Sequence, residues 1–324
     1  MRKNVFILKV GKCQKKKENK RKVSSMEDKK EKLPSTNINW YPGHMVKAQN
    51  EIKKSLKLID IVVEVLDARI PISSRNNNIN ELVKDKKRIT VLNKFDLADK
   101  VEVTKWKNYF EENGNSCILV NANISENIAN LVDEIRMQGK KIYDEKNKNK
   151  SIKIMPIYRV LIVGIPNVGK STIINKIAKR NAAVSSNKPG VTRKNQWIRV
   201  GNDIELLDTP GLLMPNLSDN NAGEKLALTG NIKQEIVDIE ELAYYGIKDL
   251  IEEGYFELLK THYKLDDNDV NLEYYDILEL IGKKRGCLRT GGNVDVERAS
   301  KLILDDIKNG KIGKICLEKV GDIS

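Results

Sequence analysis

The sequence predicts an α/β fold with a mostly parallel, six-stranded sheet and helices on both faces, followed by a mostly helical domain. Three observations support this fold class. Six short apolar runs have the length of strands, namely IVVEVLD (61–67), RITVLN (88–93), SCILV (116–120), YRVLIVG (158–164), NQWIRV (195–200) and DIELLD (203–208). Amphipathic patterns over 46–58, 99–113, 126–140 and 170–180 predict helices between them. Strands that alternate with helices are typical of parallel sheets.

The third observation is a change of pattern near residue 215. Beyond it, long helical periodicities such as IVDIEELAYYGIKDLIEEGYFELL (236–259) dominate and no clear strand follows. We therefore predict a basic, unstructured arm over 1–37, an α/β domain over 38–214 and a helical domain over 215–324. The polar stretch YDEKNKNKSIK (143–153) is predicted to be a linker inside the α/β domain.

Length and composition exclude several classes of protein. The chain has 324 residues, of which 40% are hydrophobic and 32% are charged, as expected for a soluble protein of about two domains. No apolar run approaches the roughly 20 residues of a membrane span. The four cysteines are scattered, without the spacing of a zinc site or a disulfide framework. We therefore expect a cytoplasmic protein without a membrane partner.

The net charge of +13 is unevenly distributed. Residues 1–36 hold 13 Lys or Arg and 4 Asp or Glu, so this arm is too polar to fold alone. It is either a nucleic-acid-binding arm or a solvated tail, and the mature chain could also start at Met26. A second basic cluster, GKKRGCLRTGG (282–292), suits either phosphate contacts or a glycine-rich turn between two helices.

The stretch GIPNVGKS (164–171) matches the phosphate-binding pattern G-x-x-x-x-G-K-[ST] between a predicted strand and a predicted helix. Its glycines let the backbone wrap closely around phosphates, and the helix N-terminus supplies N–H donors. Lys170 is expected to reach the β- and γ-phosphates, and the Ser171 hydroxyl to bind Mg²⁺. The predicted nucleotide-binding residues of this loop are Asn167, Val168, Gly169, Lys170, Ser171 and Thr172.

A second motif, LLDTPG (206–211), places D-x-x-G at the end of a predicted strand. Asp208 is expected to hold Mg²⁺ through water, and the Gly211 N–H to meet the γ-phosphate. Between the two motifs, the loop SSNKPGVTR (185–193) carries Thr192, a candidate for ordering around Mg²⁺ and the γ-phosphate.

The motif NKFD (93–96) predicts which base is bound. A carboxylate such as that of Asp96 can accept from both the N1–H and the 2-amino group of guanine, and adenine has no such pair of donors. Asn93 would support this contact and the aliphatic part of Lys94 would cover the base. In VNAN (120–123), Asn121 and Ala122 complete the predicted base site, with the Ala122 N–H facing guanine O6.

These motifs are those of a GTPase, but the base-reading motif precedes the phosphate-binding loop instead of following it. Such an order results when the old ends of a domain are joined and new ends are cut elsewhere, so the sequence predicts a circularly permuted P-loop domain. Its new C-terminal end follows DTPG directly. GTP and GDP could therefore reposition the helical domain through the segment that senses the γ-phosphate.

The permuted order, the leader NWYPGHMVKA (39–48), DARIPISSRN (67–76), PGVT (189–192) and the helical tail resemble the YlqF/RbgA family of ribosome-biogenesis GTPases. The resemblance covers about residues 38–320, and the basic arm departs from the family pattern. The motifs themselves predict that the chain binds and hydrolyses GTP with Mg²⁺, and we expect a monomer. The resemblance implies binding to ribosomal RNA and to large ribosomal subunit precursors during late assembly.

Two positions bear on hydrolysis. Conventional small GTPases place a glutamine after D-x-x-G to orient the attacking water, and this chain has Leu212 there. The family resemblance makes His44 the candidate for that role, although His44 could instead cap a helix or contact RNA. Asn167 is the residue that potassium-stimulated GTPases use as a K⁺ ligand, or it is an ordinary residue of the loop. Two hypotheses stay open: a GTPase accelerated by ribosomal particles, or a GTP-dependent placeholder whose hydrolysis serves only release.

Overall fold

The computed structural model describes residues 56–76, 82–148, 156–181, 196–208, 220–232 and 238–322. These residues form two compact units. One unit holds the described residues up to 232 together with 313–322, and the other holds 238–312. The domain border at residue 214 stays a prediction, but 220–232 and 313–322 lie in the same unit as the sheet.

The sheet has the six predicted strands. They are β1 (Ile61–Asp67), β2 (Lys87–Asn93), β3 (Ser116–Val120), β4 (Tyr158–Val163), β5 (Gln196–Val200) and β6 (Ile204–Asp208). Their order is β3-β2-β1-β4-β6-β5, and every neighbouring pair is parallel except β5 with β6. The predicted mostly parallel, six-stranded sheet is therefore confirmed.

Four helices of this unit are described: α1 (Lys100–Glu112), α2 (Ile128–Lys146), α3 (Lys170–Asn181) and α4 (Asn220–Leu228). The side chain of Asp99 caps α1 by accepting from the backbone N–H groups of Val101 and Glu102. Helix α2 is longer than the predicted 126–140. Its last turn takes up the start of the predicted linker, where the Lys146 ammonium lies 3.1 Å from Asp60 Oδ1. Most of the predicted helix 46–58 falls outside the described residues.

The core of this unit follows from the buried strands. Every residue of β1 is buried, as expected for the central strand of a parallel sheet covered on both faces. Trp106 and Phe110 of α1 stack with ring centroids 5.9 Å apart. They pack in one apolar cluster with Cys117 and Cys316, which come from distant parts of the chain.

The second unit is helical, as predicted. It contains α5 (Ile239–Glu252), α6 (Phe256–Tyr263), α7 (Tyr274–Lys284) and α8 (Val296–Lys308), and α8 packs against α5 and α7. Over residues 238–312 no strand forms, and one isolated β-bridge joins Leu288 to Val294. No helix in the described part of the chain is long and apolar enough to cross a membrane.

Candidate nucleotide site

The sheet register brings the ends of several strands to one edge. Asp67, the last residue of β1, lies opposite Asn93, the last residue of β2. Asn93 in turn lies opposite Val120 at the end of β3. Because parallel strands end at the same edge, the loops after β1, β2, β3 and β4 all open there, as in other open α/β sheets that bind ligands.

The phosphate-binding loop follows β4, and its two glycines are required by close backbone approach. Gly164 has φ of +151°, and a Cβ there would lie 2.5 Å from the Val65 carbonyl oxygen. Gly169 has φ of +103°, and a Cβ there would overlap Asn93 Nδ2. Both positions also use a backbone conformation that side chains disfavour. The loop therefore needs glycine at both positions for packing against its neighbours.

Helix α3 begins directly at the lysine of the loop. The Lys170 side chain is buried, and its Nζ donates to the Ile165 carbonyl oxygen at 2.5 Å. Ser171 is exposed and Thr172 half-buried in the first helical turn. The helix N-terminus thus presents backbone N–H groups, an ammonium group and a hydroxyl in one place, which is a suitable environment for phosphate.

Asn93 connects three loops at this edge. Its Nδ2 donates to the Val168 carbonyl oxygen at 2.6 Å, inside the phosphate-binding loop. Its Oδ1 accepts the Ala122 backbone N–H at 3.1 Å, in the loop after β3. One buried amide therefore fixes the base-reading motif against both neighbouring loops.

The contact of Ala122 differs from the sequence-based expectation. We expected its N–H to face guanine O6, but in this structure that N–H donates to Asn93 Oδ1. The next backbone N–H, that of Asn123, donates to Asn121 Oδ1 at 3.1 Å. Asn121 therefore shapes this loop, and Ala122 supports Asn93. The expected role of Ala122 as a donor to the base does not fit this arrangement.

Asp96 lies in a 3-10 helix, Phe95–Leu97, immediately after Lys94. Lys94 has a left-handed φ of 60° and so turns the chain sharply at the end of β2. The Asp96 Oδ1 atom is buried and has no hydrogen-bond partner among the described residues. A buried carboxylate oxygen without a donor is costly, so this atom is well suited to a ligand that brings N–H groups.

A buried ionic network lies beside this loop. Asp67 Oδ2 accepts from Arg69 Nη2 at 2.9 Å, from Lys94 Nζ at 2.9 Å and from Asn231 Nδ2 at 3.0 Å. Burial by itself would raise the pKa of Asp67, but the charges of Arg69 and Lys94 outweigh it and hold that pKa well below its usual range. Asp67 is therefore an anion that fixes the Lys94 ammonium in place.

Sequence reasoning missed this network. The stretch DARIPISSRN was recognised only through the family resemblance, without a role for Asp67 or Arg69. Nothing pointed to Asn231, which stands 164 positions after Asp67 in the chain. The sequence offered only a weak indication of Asn231. Thr229, Gly230 and Asn231 form a short polar stretch between the apolar residues 226–228 and Ile232, which is typical of a turn.

The metal-binding prediction is only partly covered by the structure. Asp208 ends β6, where its backbone pairs with Ile162 of β4, the strand that leads into the phosphate-binding loop. The hydroxyl of Ser171 and the carboxylate of Asp208 are oxygen donors of the kind that Mg²⁺ prefers. Among the described residues there is no cluster of three or more His, Cys, Asp or Glu that could hold a metal. Thr192, Gly211, Leu212 and His44 lie outside the described residues.

Comparisons with known proteins agree with this geometry. Residues 159–274 match the sequence family described as 50S ribosome-binding GTPase. The ribosome biogenesis GTPase A of Bacillus cereus is 44% identical over 281 residues, which cover 87% of this chain and 93% of that protein. A GDP-bound YlqF structure is 29% identical with a TM-score of 0.57, covering 84% of this chain and 100% of its own. GNP-bound YlqF from Thermotoga maritima is 29% identical with a TM-score of 0.56, covering 86% and 100%.

Proposed function

Because the chain belongs to the ribosome biogenesis GTPase A family and is a GTPase, we propose that it acts in late maturation of the large ribosomal subunit. In this proposal it contacts ribosomal RNA and precursor particles in a GTP-dependent way. The names of its relatives support the ribosomal part. The nucleotide part rests on one observation: Asp96 offers a buried, unpartnered carboxylate oxygen three residues after Asn93, which is bonded to the phosphate-binding loop.

The assigned roles follow from the chemistry of each group. Asp96 accepts hydrogen bonds from the guanine N1–H and 2-amino groups, and the stem of Lys94 covers the base. Lys170 and the N–H groups at the start of α3 hold the β- and γ-phosphates. These donors also stabilise the negative charge that develops on the phosphates during hydrolysis.

The cation sites are also proposals. Ser171, Thr192 and Asp208 would hold Mg²⁺, which when bound neutralises charge on the β- and γ-phosphates. The Gly211 N–H would contact the γ-phosphate. Asn167 would be a K⁺ ligand through Oδ1, since its Nδ2 donates to the Asn231 carbonyl oxygen at 3.2 Å.

Water activation needs a residue other than the one after D-x-x-G, because Leu212 cannot hydrogen-bond to water. We assign this role to His44. On this assignment, His44→Ala leaves GTP affinity unchanged and lowers particle-stimulated hydrolysis. A variant with full stimulated turnover would remove His44 from the mechanism.

Multiple-turnover GTP hydrolysis, measured with and without purified large-subunit precursors, tests the proposal. We expect stimulation by the precursors, and we expect excess ATP not to compete with GTP. Equal competition by ATP would refute the assignment of Asp96. Hydrolysis that no ribosomal particle accelerates would instead indicate a GTP-dependent placeholder.

A further inference from the structure

Asn231 lies just beyond α4 and is completely buried. Helix α4 ends at Leu228, and Gly230 follows with a left-handed φ of 73°. The Asn231 N–H then reaches back to the Leu226 carbonyl oxygen at 2.8 Å. This is a common way for a helix to end at glycine. It gives Asn231 a fixed backbone position in the stretch that follows the D-x-x-G motif along the chain.

The side chain of Asn231 is held from three directions. Its Nδ2 donates to Asp67 Oδ2 at 3.0 Å and to Thr229 Oγ1 at 2.8 Å. Its Oδ1 accepts from Lys94 Nζ at 3.4 Å. Because the ionised Asp67 carboxylate can only accept, the amide nitrogen must face Asp67 and the amide oxygen must face the Lys94 ammonium.

The backbone of Asn231 contacts the other side of the nucleotide site. Its carbonyl oxygen accepts from Asn167 Nδ2, in the phosphate-binding loop. Asn231 therefore touches both the loop that carries the phosphate-binding residues and the lysine beside the base-reading carboxylate. It contacts neither Asp96 nor Lys170 in the hydrogen bonds described above, so any effect on the nucleotide acts through other residues.

We propose that Asn231 is a positioning residue for guanine nucleotide binding, which acts by fixing the Lys94 ammonium beside Asp67. A lysine side chain loses much rotamer freedom when it is ordered. Here the folded protein already orders it, since Lys94 Nζ has acceptors on both Asp67 and Asn231. The stem that covers the base is then preorganised before the nucleotide arrives. The inference rests on the proposed role of Lys94 in the guanine site.

A double-mutant cycle on Asn231 and Lys94 tests this inference, with a fluorescent GDP analogue as the probe. Asn231→Ala should raise the Kd for GDP roughly three- to tenfold, the scale of one net hydrogen bond. In a Lys94→Met background, which lacks the ammonium, Asn231→Ala should have no further effect. Equal losses of GDP affinity in both backgrounds would show that Asn231 acts independently of Lys94 and would overturn the inference.

Thr229→Val is the matched control. It keeps the side-chain volume and removes a hydrogen bond to the same amide, but it removes no contact with Lys94. It should change the Kd for GDP less than twofold by this reasoning. An effect as large as that of Asn231→Ala would overturn the inference, even if Lys94→Met binds GDP too weakly to titrate. If Asn231→Ala does not fold, Asn231→Ser replaces it in the same comparison.

Two further measurements separate this inference from the proposed function. In a GTP titration of hydrolysis, Asn231→Ala should keep the wild-type kcat and raise the KM for GTP. The reason is that, in the proposed site, Lys94 contacts the base and not the reacting phosphate. The wild type must also prefer GDP to ADP. Loss of that preference would refute the proposed function. A GDP-selective wild type whose affinity is unchanged by Asn231→Ala would refute only the positioning role.

Discussion

At the scale of single residues, Asn93 and Asp96 differ in whether the protein satisfies their hydrogen-bonding atoms. Asn93 is buried and uses both atoms of its amide on neighbouring loops. Asp96 keeps a buried oxygen without a donor. The protein thus satisfies the amide of Asn93, whereas Asp96 keeps an acceptor that a ligand can use. The sequence predicted both residues, because N-K-x-D at the end of a strand has a defined chemistry. It could not predict that the Ala122 N–H is used by Asn93.

Asp96→Asn changes which base the site accepts. The amide keeps one acceptor for the N1–H and replaces the other by a donor, which repels the guanine 2-amino group and suits the carbonyl oxygen at position 2 of xanthine. We expect GTP affinity to fall by a factor of roughly 10² or more, since one hydrogen bond to a charged group is lost and the other is then made to a neutral amide. Xanthosine triphosphate should bind the variant better than GTP does. Competition titrations with both nucleotides measure this, and unchanged GTP preference would contradict it.

Asp67→Asn should destabilise the fold in a pH-dependent way. The fully buried Arg69 would lose its counter-ion, and breaking a buried pair costs about 3–5 kcal/mol. Folding lowers the pKa of Asp67 below its ordinary value of 3.8. The stability that ionised Asp67 adds to the fold is therefore fully present above pH 3.8 and is lost as pH falls below that value. Urea unfolding should therefore show a constant difference in the free energy of unfolding between wild type and variant from pH 5 to 7. This difference should become smaller below about pH 4.

Asp203→Asn is the control for this effect. Asp203 pairs with Arg136 at 2.7 Å, but the Arg136 side chain is 40% exposed. Exposed pairs contribute about 0–1 kcal/mol. If Asp67→Asn lowers the free energy of unfolding no more than Asp203→Asn does, the Asp67 network does not stabilise the fold.

At the scale of elements, local pattern predicted the strands well and the C-terminal segment poorly. Apolar runs of five to seven residues have the length of strands and can be recognised without knowledge of their neighbours. Residues 313–322 contain no apolar run of that length, and their position depends on distant partners. The Leu317 N–H donates to the Arg69 carbonyl oxygen at 2.9 Å, and Trp106 Nε1 donates to the Glu318 carbonyl oxygen at 3.0 Å. Such pairings between distant residues leave no trace in a single sequence.

Truncation after Ile312 should destabilise the sheet-containing unit. Ile315, Cys316 and Leu317 are almost fully buried, and Cys316 belongs to the cluster around Trp106. Losing the burial of two aliphatic side chains at about 1.5–3 kcal/mol each gives a loss of about 3–6 kcal/mol. Urea unfolding, monitored by tryptophan fluorescence, should show a transition midpoint at a lower urea concentration than in the full chain. A chain ending at Asp322 keeps all these contacts and is the control, and equal stability of the two chains would contradict the prediction.

At the scale of the whole molecule, the order of the motifs predicted the permutation, because each motif must follow a particular kind of element. It also predicted a helical region after the sheet. The predicted bounds placed 220–232 and 313–322 in the helical domain, whereas both lie in the unit that holds the sheet. Residues 220–232 and 313–322 flank the helical unit in the chain, and both contact Arg69: its Nη2 donates to the Thr229 carbonyl oxygen and its carbonyl oxygen accepts from Leu317. The two segments that flank the helical unit in the sequence thus both contact the loop after β1.

The helical unit also carries the basic loop between α7 and α8. Gly286, Gly291 and Gly292 have positive φ, and a Cβ on any of them would meet nothing within 4 Å. The glycines are therefore explained by backbone conformation alone. The lysines at the end of α7 are exposed, so they can contact phosphate without rearrangement of a core. Both interpretations of this stretch, a turn and a phosphate contact, fit the same loop.

Lys283→Ala with Lys284→Ala separates these interpretations. If both ammonium groups contact rRNA phosphates, association with large subunits weakens and the slope of log K against log salt falls by about 0.7–0.9 per lysine. Intrinsic GTP hydrolysis should not change, since neither residue lies in the unit that holds the nucleotide site. Lys140→Ala with Lys141→Ala removes the same charge from the exposed side of α2 and is the control. Co-sedimentation across a salt series measures both pairs, and equal slopes for the two would mean that the loop is only a turn.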